Sequence, residues 1–370
     1  MRVFKKAFFC ILAFSFVFLF FGQGVFAAEE SENGGEERAY IEEFSSVIPQ
    51  ESGISLEEDE LISDIGFGRI FSGISDAIVK KRAELLSFFL TVMGFAILAA
   101  VCDGASFCGS GEDKTLVCAT LTVMSVSVYP RIYELFSSVG ESLEALSSFF
   151  GSAVPIMTGI SAASGSVKTA AVQAANMNIV LGIIGSLATK ILLPLSFAML
   201  SLALISSFGE SGTLKTAASI KKLFTFGLGI VTAASSAAIA LQTVIASASD
   251  SAALRAARYA AGGLIPVVGS SVSSAISTLA GGLAYAKSTV GVAAIASIAA
   301  LVSLPLITLL MYRLVFSIAT SMLEYLDISG GVRCFSAYKA AFDAVISVYV
   351  MSTLVCIIQV IVFMKGGASV

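Results

Sequence analysis

Three ionisable residues stand in or beside long apolar runs. Lys190 lies between "GSLAT" and "ILLP", Asp343 about one turn into the last run, and Glu324 just past another. A charge in hydrocarbon is costly, so such residues either line an ion or substrate path or mark span ends, with Lys190 reaching for a headgroup. The span-end reading fits better, because no run carries the paired acids or Asn/Asp clusters that coupled transport tends to need. A second stretch with chemical content is Gly281–Ser288, "GGLAYAKS", which nearly spells a phosphate-binding loop. Ala286 occupies the place of the second glycine, which lets the backbone turn its N–H groups toward phosphate. No buried strand precedes it, so nucleotide binding is not expected and any energy source belongs to another protein.

The composition closes other routes to catalysis. The chain has no His, which removes the commonest metal ligand and the usual near-neutral general base. Zinc peptidases of the His-Glu-x-x-His type and Ser-His-Asp hydrolases are excluded. A Ser-Lys pair needs no His, but with so many serines chance proximity to a lysine is its simplest source. The six cysteines include no Cys-x-x-Cys pair and read as small hydrophobes. The expectation is a protein with no catalytic residue, no cofactor and no metal site.

The elements around these residues are those of a membrane protein. Of 370 residues, 56% are hydrophobic and 13% charged, against about a quarter charged in a soluble domain. The predicted fold class is all-α: a polytopic helical membrane protein with seven or eight transmembrane helices after an N-terminal signal peptide, plus re-entrant or interfacial helices. Arg2, Lys5 and Lys6 precede an apolar core, and "GQGVFAA" supplies small residues for cleavage between Ala27 and Ala28. The alternative is an uncleaved first span. Residues 28–84 form an acidic leader, read as extracytoplasmic and mobile, with short helices. More than half of the 26 acidic residues fall between Glu29 and Asp76, so the net charge of −4 belongs to one segment and gives no reason to expect a nucleic-acid partner.

The transmembrane domain, 85–370, contains two irregular parts. In 131–150 the residues Ile132, Leu135, Phe136, Val139, Leu143 and Leu146 repeat at helical spacing, which suits an interfacial or partner-docking helix as well as a plain amphipathic connector. The segment 250–287 is apolar yet broken by Gly262, Gly263, Pro266 and Gly269. Lipid forbids unpaired backbone, so this break must be buried in protein, line a cavity or lie at the surface. Small faces at Gly182, Gly185, Gly227 and Gly229 suit close helix packing and a possible homo-oligomer.

The stretch "LRAARYAAGGLIPVVGSSVSSAISTLAGGLAYAKSTVGVAAI" resembles the central segment of the stage III sporulation protein AE family. The resemblance rests on the basic lead at Arg255 and Arg258, on "IPVVG" from Ile265 through Pro266, Val267 and Val268 to Gly269, and on Lys287, Val290 and Gly291. "KILLPLSF", Lys190 to Phe197, is similar to that family's segment between two spans. The resemblance implies a non-enzymatic membrane component of a channel-like complex joining mother cell and forespore. It implies location in the mother-cell membrane around the forespore, with a cytoplasmic ATPase and ring-forming membrane proteins as partners. Gly262, Gly263, Ile265, Pro266, Val267, Val268, Gly269 and Lys287 are then candidate assembly residues.

Overall fold

The computed structural model describes residues 35–48, 67–105, 113–164, 167–205, 219–220, 222–235, 237 and 269–365. Helices form every ordered element among them, and no strand is present. They are α1 (Gly35–Val47), α2 (Phe67–Ala105), α3 (Asp113–Ala163), α4 (Val167–Ile183), a π-helix (Ile184–Leu192), α5 (Leu193–Ile205), α6 (Lys222–Ser235), α7 (Gly269–Tyr325) and α8 (Ser329–Lys365). Stretches within α2, α3, α7 and α8 are long and apolar enough to cross a membrane; two shorter apolar stretches, Thr189–Ala203 and Lys222–Ser235, accompany them.

Breaks expected from proline and glycine do not interrupt the chain here. The segment 131–150, read as an interfacial or connecting helix, is the middle of one long helix, α3, with Pro130 and Pro155 inside it. Proline removes one backbone bond, and neighbouring helices can compensate. The apolar stripe of 131–150 faces the protein's own core: Ile132, Phe136, Val139, Leu143 and Leu146 are fully buried. Much of the span count read from the sequence is thereby folded into fewer, longer helices. Pro194 is met differently. In an α-helix its missing N–H would leave the Lys190 carbonyl without a donor. The preceding residues are π-helical, and in an i→i+5 register the carbonyl that lacks the Pro194 donor is that of Thr189 rather than Lys190.

Side-chain contacts fix the directions. Ser125 meets Cys334 at 3.6 Å, Phe136 meets Phe342 with ring centroids 5.3 Å apart, and Ser142 meets Tyr349 at 2.6 Å. α3 and α8 therefore run parallel. α7 runs antiparallel to both, and α2 is antiparallel to α3, with Cys102 by Thr120 and Arg131 by Ser87. The chain from α4 to α5 descends along α3, from Gln173 beside Ser161 to Ser201 beside Tyr129.

The α7–α8 hairpin closes through local chemistry. The Ile328 N–H bonds the Leu323 carbonyl at 3.0 Å and the Asp327 N–H bonds the Glu324 carbonyl at 3.2 Å. With Asp327 left-handed at φ 58° this is a Schellman stop, a conformation Asp tolerates better than most side chains. Gly331 lets α8 leave closely: a Cβ there would stand 2.8 Å from Leu323.

The leader is not wholly loose. Phe44 of α1 is fully buried, edge-on to Phe149 with centroids 6.1 Å apart, and Tyr40 packs by Gly159.

The core is aromatic at mid-height. Phe316 contacts Phe88, Phe335, Tyr338 and Phe342, and Phe88 stacks on Tyr312 at 3.9 Å. Phe316→Ala is therefore expected to destabilise the folded bundle by about 3–5 kcal/mol. Leu90→Ala, on an exposed side chain, should stay within about 0.5 kcal/mol. Unfolding in detergent micelles measures both, and equal effects would refute this core.

Candidate functional site

The polar groups of the bundle are the places where chemistry is possible, and three sets of them stand out among the described residues. The first surrounds Pro305, which lies inside α7. Pro305 has no N–H, so the Leu301 carbonyl, four residues back, has no helical donor. Ser142 of α3 donates to that carbonyl at 3.3 Å. The Ser142 hydroxyl has one hydrogen, so Tyr349 of α8, 2.6 Å away, donates to Ser142 in turn. That commits the one Tyr349 hydrogen, so the Val302 carbonyl, 3.5 Å from the Tyr349 oxygen, is a neighbour rather than a second acceptor. Three helices are thus tied at one proline.

The second set is an amide cluster. Ser161 of α3 donates to the Gln173 side-chain carbonyl at 3.2 Å, and the Asn176 amide donates to that of Gln359 at 3.3 Å. Gln173 and Gln359 are 1% and 0% exposed. The Nε2 groups of both have no hydrogen-bond partner. Buried amide donors left over in this way are costly, and here they come from two helices.

The third set is charged. Asp343 of α8 pairs with the Arg313 guanidinium of α7, so its charge is answered within the protein. Nearby, the Tyr312 hydroxyl donates to Glu84 at 3.2 Å.

The other sequence candidates are dispersed. Lys190 is exposed on the π-helix, and Glu324 is exposed in the last turn of α7. Neither joins Asp343 in a shared site among the described contacts. Lys287 is buried, with its ammonium 5.2 Å from the Phe363 ring centroid, an arrangement favourable to a cation. Gly269 opens α7. Gly262, Gly263, Ile265, Pro266, Val267 and Val268 lie outside the described residues, as do Ala27 and Ala28. "GGLAYAKS" is helical throughout, so its later backbone N–H groups serve the helix rather than a phosphate cradle. Among the described residues no group of acidic, Cys or His side chains could hold a metal.

Sequence reasoning missed Ser142, Tyr349, Gln173, Asn176 and Gln359. The signal for the first two was Pro305, whose orphaned carbonyl calls for an outside donor. The amides were visible as uncharged polar residues inside "VQAANMNIVLG" and "CIIQVIVF".

The family model for stage III sporulation protein AE matches residues 56–367. The chain is also similar to the stage III sporulation protein AE of Bacillus subtilis (strain 168), 20% identical over 290 residues that cover 78% of this chain and 72% of that protein. No solved structure matches it.

The proline node makes a quantitative prediction. Ser142→Ala should cost about 1–2 kcal/mol by unpairing the Leu301 carbonyl. In a Pro305→Ala background, where a backbone N–H again serves that carbonyl, the same substitution should cost markedly less. A double-mutant cycle on detergent-phase unfolding reads the coupling, and equal costs in the two backgrounds would rule the node out.

Proposed function

The chain belongs to the stage III sporulation protein AE family, and from that premise we propose that it is a non-enzymatic, multi-pass component of a sporulation-specific, channel-like transport complex. In this reading it lies in the mother-cell membrane around the forespore and acts as a platform or conduit, inserted by a signal peptide. A cytoplasmic ATPase supplies the energy and ring-forming membrane proteins complete the passage. The observation that carries the reading is the family match across 56–367. Contacts between helices support it, as at Ser142–Tyr349 and Arg313–Asp343, which suit a rigid scaffold.

A second reading, a self-sufficient secondary transporter of a small solute, draws on one feature. The uncommitted amides of Gln173 and Gln359 are what a solute site between helices would present. Vesicles holding the purified protein alone separate the two. No uphill solute uptake is expected, and uptake would replace the first reading with the second.

The motif gives the in-cell test. Replacing Gly262, Gly263 and Gly269 together by Leu should abolish co-purification with the other stage III proteins while membrane insertion persists. Unchanged co-purification would reduce the stretch to a connector. Lys190→Gln combined with Glu324→Gln should leave spore yield near wild type, since neither side chain takes part in the interior contacts described above.

A further inference from the structure

The first and last described helices meet at one end of the bundle. α1 packs on α3, Phe44 against Phe149 and Tyr40 beside Gly159. The last turns of α8 reach the same level. Ser161 of α3 binds Gln173 of α4, and Asn176, about one turn along α4, binds Gln359 of α8. Farther along α8, Met364 packs on Gly291 of α7.

The α7–α8 turn stands at the other end. A Cβ at Gly330 would lie 3.9 Å from Leu121 of α3, and Cys334 meets Ser125 of α3 at 3.6 Å. From Leu121 to Gly159, α3 rises about 57 Å at 1.5 Å per residue. A tilt of about 40°, near the largest that spanning helices show, leaves about 44 Å of that along the membrane normal. A hydrocarbon core is about 30 Å thick, so the two levels are too far apart to share one face of a bilayer that the bundle crosses. Each level carries exposed carboxylates, Glu42 and Glu43 on α1 and Glu324 and Asp327 at the turn, which suit water rather than lipid. The long apolar stretches of α3, α7 and α8 run between them.

We infer that α1 and the C-terminal end of α8 lie on the same side of the membrane, with the α7–α8 turn on the opposite side. From α1 onward the chain then crosses the lipid an even number of times. The five residues after Lys365 reach at most about 18 Å when extended, too little to cross back. Which side this is rests on the signal-peptide reading proposed above. The end bearing α1 is then extracytoplasmic, and a cytoplasmic partner reaches the end formed by the α7–α8 turn, where Tyr325 is 91% exposed.

Single cysteines test the pairing in the full chain: Glu43→Cys, Tyr325→Cys and one cysteine appended after Val370. Each is treated with a membrane-impermeant maleimide in right-side-out and in inside-out membrane vesicles. The wild-type chain, with its own cysteines, sets the background. The Glu43→Cys and appended variants should gain label from the same face and lose that gain from the other, and Tyr325→Cys should show the reverse. Ser46→Cys, also at an exposed site, replaces Glu43→Cys if that chain fails to accumulate in the membrane. Label on Glu43→Cys and on the appended cysteine from different faces, or on Tyr325→Cys from the face they share, overturns the inference. Label on both ends from the cytoplasmic face upholds the pairing and overturns the signal-peptide reading instead.

Discussion

The structure depends on one constraint: a backbone carbonyl in an apolar interior must find a donor inside the protein. Helices satisfy this for themselves except where proline removes an N–H. This chain places Pro130, Pro155 and Pro305 inside long helices. At Pro305 the missing donor is imported, Ser142 from α3 with Tyr349 of α8 behind it. Pro194 follows a π-helical stretch, which shifts the orphaned carbonyl from Lys190 to Thr189. The import at Pro305 has an architectural consequence. A carbonyl served by a neighbouring helix fixes that neighbour's height and rotation, so the proline that weakens α7 locally also sets where α3 and α8 must stand.

The other interior contacts reinforce that register. Phe316 has ring neighbours on α2 and α8, and Phe136 of α3 meets Phe342 of α8. Apolar packing alone tolerates sliding, because one ring can replace another. A directional bond such as Ser142–Tyr349 does not tolerate it, since a slipped partner leaves a buried polar group unpaired. The amide cluster follows the same logic only in part. It joins α3 to α4 and α4 to α8 yet leaves two amide donors unused, so its stabilising yield is lower than that of the proline node.

Much of this was legible in the sequence, for reasons specific to each element. The all-helical membrane class follows from composition, because a chain so poor in charge has no other way to satisfy its backbone in lipid. Helix ends were less legible. Local propensity disfavours Pro130 and Pro155 inside a helix, yet both lie within α3. The stripe Ile132–Leu146 was visible as amphipathic, but periodicity says only that one face is apolar, not whether lipid, a partner or the chain's own core covers it. Asp343 stood out as a charge near an apolar run. Its partner Arg313 did not, since nothing local links α7 to α8 before the Schellman turn brings them side by side.

Surface and composition together separate stretches of one helix that hydropathy alone merges. Hydropathy averaged along α3 cannot distinguish a lipid-facing helix from one whose apolar residues all point inward, because both have the same composition. Burial separates them. Below Arg131 the exposed side chains of α3 are mainly Leu and Val; above it they are mainly Glu, Ser and small residues, although the buried face remains apolar throughout. The docking of α1 agrees with this division. The acidic amphipathic helix α1, with Glu42 and Glu43 on its exposed side, is found against Phe149 and Gly159. This part of the acidic leader and the end of the bundle that carries Phe149 are thus one structural unit.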